Sequence, residues 1–158
     1  MNKRQIIIAV GIVVMAIAWY AFRPELFFVD KQVNEQFPAG GQNASGPMSL
    51  AKGNFKSLAH ETKGMATLYK LADGKQTLRL TEFETSNGPD VHVYLTAAEV
   101  EKGSDAIKAA GFIDLGSMKG NKGDQNYDIP ADVDLSKYKS VTIWCARFGV
   151  NFGLAPLT

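Results

Sequence analysis

The chain is poor in the residues that usually carry chemistry. A single cysteine, Cys145, excludes an intramolecular disulfide framework and every multi-cysteine zinc site. Two histidines, His60 and His92, leave little material for metal or acid–base work. No Cys-x-x-Cys-His occurs, which excludes covalently attached c-type haem. Neither sign of charge prevails: 17 Lys and Arg stand against 16 Asp and Glu, for a net charge of +1. That balance argues against nucleic acid as a partner, since no broad basic surface is available. No Gly-x-Ser-x-Gly elbow supplies a hydrolase nucleophile. His60-Glu61-Thr62-Lys63-Gly64 opens like a zinc-protease helix but has glycine where the second histidine must sit. Residues 116–123 (GSMKGNKG) fit neither the P-loop nor the dinucleotide fingerprint and read as a loop between strands. Glu82 and Glu84 share a strand face with nothing to mark a cleft, so they read as a solvated face.

What the 158 residues do contain is one long apolar run. Residues 5–22 (QIIIAVGIVVMAIAWYAF) carry no charge, and a membrane-spanning helix needs roughly 20 such residues. Trp19 and Tyr20 stand near its far end, where amphipathic rings prefer the interface. Lys3 and Arg4 precede the run, so residues 1–4 read as a cytoplasmic stub and residues 5–23 as a transmembrane signal-anchor. The expected location is the cell membrane, single-pass, with the C-terminal domain extracytoplasmic, periplasmic or extracellular. Ala16-Ile17-Ala18 also fits a signal-peptide cleavage pattern. The apolar run continues past it without a polar break, which favours retention. The lipid bilayer is thus the expected partner of residues 5–23.

Residues 24–50 read as a linker, most clearly the small, breaker-rich stretch 39–47. The remainder, 51–158, reads as mainly β. Residues 66–71 and 76–83 are strand-like runs joined through Asp73-Gly74, a hairpin signal. Leu78 and Leu80 alternate with Arg79 and Thr81, which predicts one buried and one wet face. Further strands are predicted over 91–95, 112–115, 125–129 and 150–157. Residues 141–148 form an apolar central strand, and 132–138 a helical turn. Thr96-Ala97-Ala98-Glu99 has capping-box spacing and predicts a short helix towards Ala110. Short strands separated by turns favour a β-sandwich or barrel-like ectodomain with one short helix.

The succession Gly53-Asn54-Phe55, His60 with Gly64, Leu78-Arg79-Leu80 with Phe83, and Gly88-Pro89-Asp90-Val91 resembles the DM-thirteen domain family. Gly123-Asp124-Gln125 with Tyr127, and Val141-Thr142-Ile143-Trp144-Cys145 followed by Phe148 and Phe152-Gly153, continue the likeness over essentially 51–158. Val33-Asn34-Glu35 and Phe37-Pro38 resemble bacterial, membrane-anchored members. The resemblance implies a small β-rich extracytoplasmic module serving electron transfer, with a redox role for Cys145.

A thiol becomes reactive when a nearby cation stabilises its thiolate and the site is accessible. Arg147, two positions on and hence on the same strand face, is the local candidate for that cation. The plain alternative is that Cys145 is a small apolar core residue. His60, His92 and Cys145, with Met65 or Met118 as an axial sulfur, are the candidate metal ligands. Such a set suits copper, and the same histidines and methionines suit haem iron, but ordinary polar roles are the commoner use of lone strand histidines. No cofactor is firmly implied. Two readings stay open: a redox accessory using Cys145 beside a membrane redox protein, and a non-catalytic module that binds a ligand or partner. Catalysis by the domain alone ranks behind both.

Overall fold

The computed structural model describes residues 2–27, 29–38, 46–98 and 104–158. The apolar run forms helix α1, Lys3–Phe22. Asn2 caps it reciprocally: its side chain accepts from the Gln5 N–H, and the Gln5 side chain accepts from the Asn2 N–H, both at 2.9 Å. Arg23 ends it in the left-handed region at φ 42°, and Pro24 then opens a 3-10 turn. No residue of α1 is buried, and the helix is long and apolar enough to cross a membrane.

Among the described residues nine strands and a second α-helix follow: β1 Met48–Asn54, β2 Lys56–Ser57, β3 Lys63–Lys70, β4 Gln76–Glu84, β5 Val91–Thr96, α2 Ser104–Ala110, β6 Phe112–Ser117, β7 Gln125–Ile129, β8 Ser140–Cys145 and β9 Val150–Pro156. They build two antiparallel sheets, ordered β1-β3-β4-β7 and β2-β9-β8-β5-β6. The protein is therefore mainly β, with two packed sheets rather than a closed barrel. Thr158 exchanges two 3.0 Å backbone bonds with Lys52, fastening the end of the chain to β1.

The period-2 alternation of strands sends every second side chain to the interior. Leu68, Leu78, Leu80 and Phe83 from one sheet join Val91, Val93, Leu95, Val141, Ile143 and Cys145 from the other in one core. The hairpin is as expected: Leu71 N–H donates to Lys75 at 2.8 Å around Asp73-Gly74, and Gly74 takes φ 86°.

Four expectations need correction. First, β8 stops at Cys145 and residues 146–149 form a turn, so the predicted strand over 141–148 is shorter. As expected of a central strand, both its faces are covered: Val141, Ile143 and Cys145 face the core, while Ser140 donates to the Ala98 carbonyl (2.7 Å) and Trp144 packs with Tyr94, Ala98 and Ile107. Second, Thr96 belongs to β5 and donates its hydroxyl to Gly111 at 3.2 Å. Glu99, the other half of the predicted capping box, lies outside the described residues, and α2 begins at Ser104.

Third, residues 29–38 are not a free connector. They run as a strap along the loop before β7: Val33 N–H donates to Lys122 and Glu35 N–H to Asp124, both at 2.9 Å. Gly120 and Gly123 sit directly under the Lys31 and Val33 carbonyls, where a β-carbon would collide. This close approach is what Gly120 and Gly123 provide. The breaker-rich residues 39–45 lie outside the described residues.

Fourth, Arg79 is on the face predicted to be wet, yet the strap covers it. Its guanidinium donates to Asp124 (2.6 Å), Asn126 (2.8 Å) and the Glu35 carbonyl (3.2 Å), and stands over the Phe37 ring. A buried guanidinium needs this many acceptors to offset its lost hydration.

Candidate functional site

Cys145 is the last residue of β8, in register with Val91 on β5 and Val150 on β9, and its side chain faces the core. Only 1% of the residue is exposed. Beside it lies a cavity of about 80 Å³ lined by His60, Gly88, Pro89, Cys145, Phe148 and Phe152, among others. His60 arrives from the turn after β2, where its N–H donates to the Phe152 carbonyl at 3.2 Å. The imidazole packs on the Phe152 ring with centroids 3.9 Å apart. Burial holds the His60 pKa below its ordinary value, which favours a neutral ring at neutral pH.

Arg147 does not serve the thiol as a cation. The turn after Cys145 takes it off the strand face, and its guanidinium donates to the carbonyls of Tyr20 (3.2 Å) and Ala21 (2.7 Å). Those carbonyls belong to the last turn of α1, which lacks intrahelical donors and carries the negative end of the helix dipole. Phe148, next in the turn, stacks on Phe22 with centroids 6.1 Å apart. The cavity and the end of α1 are thus joined by one short turn.

His92 lies on the outer face of the second sheet, in register with Trp144. Its Nδ1 faces Asp114 Oδ2 at 2.9 Å and its Nε2 faces Asp90 Oδ1 at 3.1 Å. Burial works against its charge, but hydrogen bonds to Asp114 and then Asp90 outweigh it and raise the pKa above the ordinary value. The face expected to be wetter is covered at Tyr94 and Thr96, and His92 is the one half-buried residue of β5. His60 and Cys145 share a cavity, whereas His92 faces away from it and spends both ring nitrogens on carboxylates. The three do not converge, and among the described residues no cluster of three or more His, Cys, Asp or Glu side chains is placed to hold a metal ion. Met65, on the inner strand β3, pairs with Asn54 of β1 and Thr81 of β4, while Met118 packs against the core after β6.

Two groupings escape sequence reasoning. Tyr94 stacks on Phe112 at 4.4 Å and 7°, and Lys108 of α2 stands over Trp144. A polar basin of about 260 Å³ gathers Asp30 of the strap, Lys63 and Glu84 at the ends of β3 and β4, and Glu61, Asn87 and Lys122 from the neighbouring loops. Lys122 bridges Asp30 (2.7 Å) and Glu84 (3.3 Å) there. The only signal for either is charge and aromatic content, spread over distant segments.

No curated protein and no solved structure matches the chain. Residues 54–157 do match a protein family, the one described as Electron transfer DM13. The matched span runs from the end of β1 through β9 and contains His60, His92 and Cys145. A match over most of the chain, on the two-sheet domain that carries the Cys145 cavity, places this protein in the electron transfer DM13 family.

Proposed function

We propose that this protein is a single-pass, membrane-anchored electron-transfer accessory whose β domain lies outside the cytoplasm and whose working group is Cys145. The observation that carries this reading is the position of the thiol. It shares an apolar cavity with a neutral histidine, at the end of the sandwich joined to α1 through Arg147 and Phe148. With no second cysteine in the chain, the thiol works by exchange with a membrane redox partner. The Cys145 sulfur, as thiolate, attacks the partner's disulfide, one partner sulfur leaves as a thiol, and a mixed disulfide remains. His60, which lines the same cavity, is the group that takes the thiol proton on this reading.

The test is made on the full chain in lipid nanodiscs and in cells. Acid-quenched alkylation followed by peptide mass analysis should find part of Cys145 in a reducible mixed disulfide, which is lost in Cys145→Ala. A visible spectrum and metal analysis of the same sample report any bound centre. A thiol that is fully reduced in cells and unreactive until unfolding would overturn the proposal.

That result would favour the second reading, a non-catalytic binding module, which the near-complete burial of Cys145 supports. On that reading Cys145→Ser costs about 1–3 kcal/mol of stability by burying a hydroxyl without a partner, and Cys145→Ala leaves function intact.

A further inference from the structure

Phe148 belongs to two sets of contacts at once. Its ring lines the Cys145 cavity, and it stacks on Phe22 at the end of α1. Both rings nonetheless stay open to their surroundings, Phe148 at 50% and Phe22 at 58%. A pair of exposed, stacked aromatic rings at a domain tip marks a surface that meets something apolar. Arg147 fixes the same turn to the helix end through the Tyr20 and Ala21 carbonyls, so the tip has a defined place relative to α1.

The length of α1 says what the apolar neighbour is. Its 20 residues span about 30 Å, the thickness of a bilayer's hydrocarbon core. A helix of that length crossing a bilayer brings Phe22 to the border between acyl chains and headgroups. Trp19 and Tyr20, 60% and 76% exposed, stand at the same level, where such rings gather. Phe148, stacked on Phe22, then lies at the depth of this aromatic belt although it comes from the β domain.

We infer that the turn at residues 146–149 is a second membrane contact of this chain, with Phe148 seated beside Phe22 in the interfacial layer of the bilayer that α1 crosses. The inference rests on α1 being the membrane anchor proposed above. It adds that the sandwich docks its Cys145 end on lipid rather than standing clear of the surface.

The test uses the full chain with Cys145→Ala and Phe148→Cys, carrying a nitroxide at position 148, in phosphatidylcholine–phosphatidylglycerol vesicles. Collisions of the label with oxygen should exceed those with a water-soluble nickel chelate several-fold. In the otherwise native chain, a lipid-borne diazirine should form adducts on the 146–149 peptide, and Phe148→Asp should cut their yield about tenfold. A label that meets the chelate as freely as oxygen, or adducts confined to α1, would overturn the inference. Dipolar broadening between labels that persists in detergent would assign the ring to a second copy and overturn it equally. Carbonate extraction separates the two readings. A chain released by alkali refutes the anchor itself, whereas a chain that stays in the membrane with a water-exposed residue 148 refutes only the docking.

Discussion

His60 and His92 are the same residue in two environments only a few strands apart. His60 is held against Phe152 without a hydrogen bond to any carboxylate among the described residues, and burial moves its proton affinity downward. His92 is about as enclosed, but Asp114 and Asp90 take both of its nitrogens, and its affinity moves upward. Desolvation penalises the charged ring in both places, and the presence of acidic partners decides the sign. The cavity side of the second sheet therefore holds a ring that resists protonation beside a thiol, while the outer face holds one whose protonated form its two carboxylate partners favour.

The most damaging change to this arrangement is Phe152→Ala, which removes the ring that supports His60 and closes the cavity. Phe152 is 4% exposed, and truncation of such a residue costs about 3–5 kcal/mol, read as a lower denaturation midpoint. The same variant should return the His60 pKa towards its ordinary value, and a chain that loses stability without that return would break the link between packing and proton affinity.

A smaller effect follows from the opposite signs of the two shifts. For His60 the unfolded chain binds the proton more readily, so its contribution is present above the unfolded value near 6.5 and is lost as pH falls through the folded one. For His92 the folded chain binds more readily, so its contribution is complete below about 6.5 and is lost as pH rises through the raised folded value. Asp114→Asn should remove most of the second dependence at a cost of about 1 kcal/mol or less at pH 6, since Asp114 is partly exposed. Denaturation midpoints from pH 5 to 8 in both chains check this, and equal slopes would contradict the clamp.

The mildest test leaves the protein unchanged. With only two histidines, proton NMR should resolve two ring titrations, one below and one above the ordinary value, and Asp114→Asn should move only the upper one. Coincident titrations would erase the contrast.

What could be read from the sequence was local. The Asp73-Gly74 turn, the alternation through Leu78 and Leu80, and the run of residues 125–129 carry their signals within a few positions, and the strands form there. α1 was equally plain, since its character is a property of one uninterrupted segment. The site was legible only in part: Cys145 stood out as the sole thiol, but its company did not. Arg147 lies in the turn beyond β8, and the acceptors it reaches are on α1, more than 120 residues away. Arg79 was buried by a strap whose anchors lie some 45 positions off, and Asn121 reaches Lys31 across 90. Alternation describes a strand's two faces but not what later covers them.

The strap also limits how far the domain can travel. α1 ends at Phe22, and at Val29 the chain is already fastened, its carbonyl accepting from the Asn87 amide at 3.2 Å. Seven residues of backbone extend at most about 25 Å, even fully stretched. The sandwich is accordingly on a short leash: its nearest fastened point stays within that distance of the end of its helix, so it cannot sweep the space around it.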